Sequence, residues 1–87
     1  MTQNNIPTVT LYTKEPCPLC DVVKDQLSAM QATYPHQLQE IDITQDHALY
    51  ARYRFIIPVL DINGRVLQAP ITQLDLIDAL QKANKKA

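Results

Sequence analysis

The spacing of apolar and polar residues changes along the chain, and these changes predict the order of its secondary structure elements. Residues 8–13 read TVTLYT, which is rich in β-branched and aromatic side chains and is typical of a strand inside a sheet. From residue 18 to about residue 34 the spacing becomes helical, and Pro35 is expected to end this helix. The apolar positions that define it are Leu19, Val23, Leu27, Met30 and Tyr34.

A second strand and a short helix follow. Residues 38–43 predict the strand, with Ile41 and Ile43 on one face. Thr44 or Asp46 can cap a helix that reaches about residue 53, because both side chains can accept a hydrogen bond from a free N–H of a first helical turn.

The last part of the sequence predicts a β-hairpin. Residues 56–62 are strongly apolar and predict a third strand, which Pro58 should begin because proline cannot donate within a ladder. Asn63-Gly64 is a strong hairpin-turn signal, and residues 65–68 would return antiparallel. Gly64 is the single glycine of the chain and stands where a positive φ is needed.

A last helix completes the predicted fold. Thr72 and Asp75 have the spacing of a capping box, and an apolar stripe follows at Leu76, Ile77, Leu80 and Ala83. The order is then β-α-β-α-β-β-α. A right-handed crossover makes the first two strands parallel, and the hairpin makes the last two antiparallel. We therefore predict an α/β fold with a four-stranded mixed sheet and helices on both of its faces.

Composition limits the classes of protein that this chain can represent. Its 87 residues, 46% of them hydrophobic, predict a single domain over residues 1–87, with residues 1–6 as a disordered or extended leader. A net charge of −1 gives no reason to expect nucleic acid or a membrane as a partner. The polar start lacks the pattern of a secretory signal, so we expect a cytoplasmic protein.

Two cysteines carry the candidate chemistry. Cys17 ends the loop after the first strand, and Pro18 suits the first position of the helix, so Cys17 should be the N-cap. The free N–H groups and positive dipole of a helix N-terminus favour a thiolate and lower a cysteine pKa from about 8.5. Cys20, one turn further and less exposed, can attack a mixed disulfide formed at Cys17. A loop this small would stabilise the fold little, which favours a redox role.

Two other roles for the cysteines are weaker. A structural zinc site needs two more ligands, but His36 and His47 are eleven positions apart in the sequence, which does not fit a Cys2His2 site. Small core cysteines are the second alternative, although Pro16 and Pro18 favour a strand-to-helix turn.

Three further residues flank this motif in the predicted fold. A cis peptide between Ile57 and Pro58 would let the Ile57 backbone pair with an extended thiol substrate, whereas a trans proline that merely opens the strand is the alternative. Tyr12, which precedes the motif, and Leu19, which lies inside it, are also candidates for substrate contact.

In this order, the motifs resemble those of the glutaredoxin-like branch of the thioredoxin superfamily. The resemblance rests on residues 11–20 (LYTKEPCPLC), on Asp42-Ile43 and on residues 57–60 (IPVL). It implies a thioredoxin-like fold in which Cys17 attacks and Cys20 resolves. It also implies a cis Pro58, with Lys14 and the Ile57 backbone contacting glutathione or another thiol substrate.

The sequence departs from a typical glutaredoxin at three places. Leu19 stands where a tyrosine is usual, and Ile56-Ile57 stands where threonine-valine is usual. Residues 68–71 (QAPI) replace a pair of glycines before the last helix, so the chain is a divergent member without that pair.

The function predicted from these residues is thiol-disulfide oxidoreduction in electron transport and cell redox homeostasis. We expect a monomer with a redox-active disulfide that reduces protein or small-molecule disulfides, with a reductase or glutathione as electron donor and no tightly bound cofactor. One alternative is a protein-binding module with little redox activity, suggested by Leu19, Ile56 and Ile57. Another is a dimer that bridges an iron–sulfur cluster through Cys17 and glutathione.

Overall fold

The computed structural model describes residues 6–85, with side chains for residues 6–84, so most of the expected leader at 1–6 lies outside the described residues. The strands and helices follow the predicted order. They are β1 (Thr8–Thr13), α1 (Pro18–Ala29), β2 (Gln37–Asp42), a 3₁₀ helix (Ile43–Gln45), α2 (His47–Tyr53), β3 (Val59–Ile62), β4 (Arg65–Gln68) and α3 (Gln73–Lys85). None of the helices in this part of the chain is long and apolar enough to cross a membrane.

The four strands form one mixed sheet in the order β2-β1-β3-β4. β1 and β2 are parallel, whereas β3 is antiparallel to both β1 and β4. The predicted parallel and antiparallel pairs are confirmed. β1 lies in the interior of the sheet, so the chain that leaves it toward the cysteines starts from a strand with neighbours on both sides.

One face of the sheet carries the main hydrophobic core. α1 and α3 pack there against the inward side chains of β1 and β3, and the buried residues are Val9, Leu11, Val23, Leu27, Met30, Leu60, Ile62, Leu76, Ala79, Leu80 and Ala83. Tyr12 follows Leu11 and so points to the opposite face, where its ring lies 4.8 Å from that of Tyr53 in α2. Helices therefore cover both faces, as predicted.

The first helix is shorter than its apolar spacing predicts. It ends at Ala29, because Met30 N–H bonds to the carbonyl of Leu27 and the chain then continues in tight turns. Met30 is nevertheless buried, and Tyr34 packs against the core from the turn. The apolar spacing therefore continues beyond the last helical residue, and the prediction that Pro35 ends the helix was wrong.

The third strand also starts later than the apolar run. The N–H groups of Ile56 and Ile57 both donate to the carbonyl of Tyr53, at 2.9 and 3.1 Å, and so close the end of α2. Pro58 has no N–H, which leaves Val59 as the first strand residue. The expected strand over 56–62 is therefore limited to Val59–Ile62.

The hairpin and the last helix begin as their sequence signals predict. Asn63 and Gly64 both have positive φ, at 52° and 90°, which suits a two-residue hairpin turn. At the start of α3, Thr72 N–H donates to the Asp75 carboxylate at 3.0 Å, and Asp75 N–H donates to the Thr72 hydroxyl at 3.1 Å. This reciprocal pair is a capping box.

Candidate active site

The cysteine motif occupies the junction between the interior strand β1 and the start of α1. Cys17 is the N-cap, with extended backbone angles (φ −148°, ψ 90°), and Pro18 is the first helical residue. The carbonyl of Cys17 accepts the first helical hydrogen bond, from Asp21 N–H at 3.0 Å. Its Sγ accepts a hydrogen bond from Cys20 N–H at 3.1 Å. The sulfur therefore caps the N-terminus of a twelve-residue helix, as the proline spacing predicted.

The two cysteines form a disulfide, and their Cα atoms are 5.2 Å apart. They differ in exposure. Cys17 is partly exposed, whereas Cys20 is 1% exposed and lies against the core. A bulky disulfide or thiol from outside can reach the first sulfur more easily than the second. This asymmetry agrees with the expected difference between an attacking and a resolving cysteine.

The lysine nearest to the motif in α1 is already paired with carboxylates. Lys24 Nζ lies 3.3 Å from Glu40 and 3.6 Å from Asp21. The hydrogen bond to Glu40 raises the pKa of Lys24 above its usual value. Lys24 thus partly offsets the charge of Asp21, and the start of α1, with its N–H groups, supplies positive potential directly at the Cys17 sulfur.

An apolar groove lies beside the motif. It has a volume of about 120 Å³ and runs between α1, the segment at Pro58 and the connection from β4 to α3. We use the name apolar groove for this feature, which is lined by Leu19, Val22, Val23, Pro58, Ala69, Pro70 and Ile71. Leu19 and Val22 at its edge are 62% and 51% exposed. Two predicted site residues, Leu19 and Pro58, therefore share one surface next to the cysteines.

Tyr12 and Lys14 contact a different set of residues, on α2. Burial, followed by the charges of Tyr53 and Asp61, raises the pKa of Tyr12 above its usual value of 10.0. The Lys14 ammonium lies 5.6 Å from the centre of the Tyr50 ring, in a cation–π contact. These contacts connect the chain just before the motif to α2, rather than to the apolar groove.

The segment before Pro58 differs in part from its prediction. The Ile57–Pro58 peptide is cis, so of the two isomers considered from the sequence the cis form is present. The N–H of Ile57, however, donates to the carbonyl of Tyr53 at 3.1 Å. The N–H of Ile57 is therefore not free for a substrate, and the expected pairing of the Ile57 backbone with an extended substrate stays a prediction that concerns its carbonyl.

Several residues of the site have no simple signal in the sequence. The side of the apolar groove formed by Ala69, Pro70 and Ile71 is some fifty residues from the motif in the sequence. The departure of residues 68–71 from a glycine pair was the one sign that this segment is special. Val23 belongs to the apolar pattern of the helix, whereas Val22 lies outside that pattern, and only the packing of α1 places both beside the groove.

The histidines do not join the cysteines. His36 is 5% exposed, with Nδ1 2.7 Å from the carbonyl of Tyr34, whereas His47 is exposed at the first position of α2. Within residues 6–85, no three His, Cys, Asp or Glu side chains are grouped in a way that could hold a metal ion.

Comparison with known proteins identifies the family and the fold of this chain. The sequence profile of the family described as "Glutaredoxin-like domain (DUF836)" matches residues 8–81. The X-ray structure of target protein XcR50 from X. campestris is 31% identical, covers 85% of this chain and 96% of that chain, and has a TM-score of 0.73. The solution NMR structure of protein Ne2328 from Nitrosomonas europaea is 25% identical, with 91% and 95% covered and a TM-score of 0.74.

A more distant match concerns the fold alone. The crystal structure of thioredoxin O2 from Arabidopsis thaliana in its oxidised state is 16% identical, covers 90% of this chain and 75% of that chain, and has a TM-score of 0.67. A glutaredoxin-like domain with a cysteine pair at disulfide distance fits a redox role. Because the family profile extends from the first strand into the last helix and includes both cysteines, this chain belongs to the glutaredoxin-like (DUF836) domain family.

Proposed function

We propose that this protein is a thiol-disulfide oxidoreductase in which Cys17 is the nucleophile and Cys20 is the resolving thiol. The observation that carries the proposal is the hydrogen bond from Cys20 N–H to Cys17 Sγ, at 3.1 Å, at the N-terminus of α1. N–H groups that point at a sulfur stabilise its negative charge, and the thiolate is the form that attacks a disulfide.

The reaction has two exchange steps. In the first, the Cys17 thiolate attacks one sulfur of a substrate disulfide, forms a mixed disulfide and expels the other substrate sulfur as a thiolate, which takes up a proton. In the second, Cys20 loses its proton and attacks Cys17 Sγ, which releases the remaining substrate sulfur. Two electrons pass from the dithiol to the substrate, and the protein is left with the Cys17–Cys20 disulfide.

The difference in exposure supports this division of roles. A substrate sulfur must approach Cys17 from solvent, and Cys17 is the partly exposed member of the pair. Cys20 is 1% exposed, so it meets few external disulfides but is in place for attack on Cys17. The sulfur atoms carry both electrons, so no prosthetic group is required.

The disulfide must be reduced again before a further cycle. We propose glutathione or a dithiol reductase as the electron donor and a reducing compartment such as the cytoplasm, in which a protein dithiol is kept reduced. The substrates are then protein or small-molecule disulfides.

Exchange kinetics of two matched serine variants test this function. We expect Cys17→Ser to abolish exchange with a dithiol or peptide disulfide, and Cys20→Ser to accumulate a mixed disulfide that is visible by mass. Titration of the single thiol of Cys20→Ser should give a Cys17 pKa below the usual value of about 8.5. The proposal is wrong if the wild-type protein exchanges with no disulfide and this thiol titrates above 8.5.

A further inference from the structure

The apolar groove leaves carbon surface exposed beside the reacting sulfur. Leu19 belongs to the cysteine motif itself, and Val22 lies one helical turn further on the same face of α1. Both are more than half exposed, while the side chains facing them across the groove are Pro58, Ala69, Pro70 and Ile71. Every side chain that lines the groove is apolar, so its surface favours an apolar group over a charged one.

The side of the apolar groove that continues into α3 is unfavourable for an anion. Pro70 has no N–H to offer, and the N–H groups of Thr72 and Asp75 are both used within the capping box. The carboxylate of Asp75 itself lies at this helix N-terminus. A ligand carboxylate placed there would meet this negative charge where two of the N–H donors are already used.

We propose, on the basis of the exchange function above, that the substrate is a protein segment with an apolar side chain next to its disulfide cysteine, which the apolar groove holds, and that glutathione disulfide is a poor substrate.

The position of the groove decides which part of a substrate it can hold. A substrate cysteine bound to Cys17 Sγ lies directly beside Leu19, which is two residues along the chain. The next residue of the substrate is only about 3.8 Å further along its backbone, measured between Cα atoms. The side chain of a residue adjacent to the substrate cysteine is therefore close enough to reach the groove.

Glutathione matches this surface poorly. It carries two carboxylates and one ammonium, and removal of such charges from water is unfavourable unless each finds a partner. Among the side chains that the structure describes, no charged one lines the apolar groove, and Asp75 lies just beyond its α3 end. Hydrogen bonding to Thr72 lowers the pKa of Asp75, so its carboxyl group is ionised at neutral pH and repels a carboxylate.

Single-turnover kinetics of the pre-reduced protein test this inference. The probes are disulfide-linked hexapeptide pairs in which the cysteine is followed by leucine, serine or glutamate, together with glutathione disulfide. We expect the leucine peptide to react about tenfold faster than the serine peptide, because a pocket of this kind discriminates by roughly this factor for a small apolar group. The glutamate peptide and glutathione disulfide should react more slowly still.

Two variants with neutral side chains separate the groove from the chemistry. The double change Leu19→Ser with Val22→Ser should reduce the ratio of the leucine-peptide rate to the serine-peptide rate to about one. A change in the reactivity of the Cys17 thiol affects both rates equally and therefore does not alter this ratio. Val66→Ser is the matched control. Val66 is 56% exposed, close to the 51% of Val22. Because Leu67 packs on the core, its neighbour Val66 lies on the opposite face of β4. It should leave the ratio unchanged.

The outcomes distinguish this inference from the proposed function. If glutathione disulfide reacts as fast as the leucine peptide, or if the ratio survives in the double variant, the inference is overturned while the exchange function stands. If no disulfide reacts, the exchange function itself fails. A wild-type dimer in sedimentation that the double variant abolishes would place a second copy of this chain in the groove and would also overturn the inference.

Discussion

The backbone N–H of Ile57 donates a hydrogen bond of 3.1 Å to the carbonyl of Tyr53, and Ile56 donates to the same oxygen at 2.9 Å. These two hydrogen bonds connect the end of α2 to the residues just before Pro58, which lines the apolar groove together with Leu19 of the cysteine motif. Within residues 6–85, no backbone N–H donates to the carbonyl of Ile57. The N–H of Ile57 is therefore already used, whereas its carbonyl has no backbone donor within these residues.

Hydrogen exchange of the Ile57 amide tests this contact. We expect the amide to exchange well below the rate of an unstructured peptide in the free protein, because its proton is held by Tyr53 before any substrate binds. Amide exchange followed by NMR measures this, with the amide of buried Leu27 in α1 as the protected reference. Exchange of Ile57 at the unstructured rate would contradict the observed hydrogen bond.

Two leucines of α3 provide a test of the core. Leu80 lies on the side of α3 that packs on the core and is 0% exposed, whereas Leu74 on the same helix is 76% exposed. Leu80→Ala should lower the free energy of unfolding by about 2–5 kcal/mol, because it removes buried methyl groups and leaves a cavity. Leu74→Ala should change it by less than about 0.5 kcal/mol. Urea unfolding of both variants checks the difference, and equal losses would show that α3 packs on another face.

The capping box of α3 should contribute measurably to stability. Thr72→Ala removes the hydroxyl that accepts from Asp75 N–H, and we expect a loss of about 1 kcal/mol, which is typical of an N-cap. Thr33→Ala, on an exposed turn, is the matched control and should stay within about 0.5 kcal/mol of the wild type. Chemical unfolding of the two variants at pH 7 gives the comparison, and a Thr72 effect no larger than that of Thr33 would contradict it.

Acid should destabilise this fold through three carboxyl groups. Hydrogen bonds from Thr44 to Asp42, from Thr72 to Asp75 and from Arg65 to Asp78 lower the pKa values of these carboxyls from 3.8. A lowered pKa in the folded state contributes stability that is present above about pH 4 and is lost as the pH falls through the folded-state pKa.

Urea midpoints measured from pH 6 down to pH 2.5 check this direction. The midpoint should be nearly constant at the upper end and fall below about pH 4. Asp75→Asn keeps an oxygen that can accept from Thr72 but removes the titrating group, so its midpoint should fall less steeply. An identical slope in the variant and the wild type would show that Asp75 contributes nothing to the acid sensitivity.

Short-range signals account for the parts of the site that were predicted. Pro18 places Cys17 outside the helix, and the three-residue spacing brings Cys20 N–H to its sulfur, both within one turn of backbone. The capping box of α3 has the same local character. The end of α1 was missed because Met30 and Tyr34 keep the apolar spacing by packing from a turn rather than from a helix.

The order of the elements, the hairpin turn and the position of Cys17 can be predicted without coordinates, because each depends on neighbouring residues that restrict their own backbone. The strand order β2-β1-β3-β4 and the partners of the motif come instead from long-range packing. Leu19 lines the apolar groove together with Pro58 and Pro70. The N–H of Ile57 donates to the carbonyl of Tyr53 and is therefore not free. These contacts join segments that lie far apart in the chain or belong to different elements, and they exist only once the helices pack on the sheet.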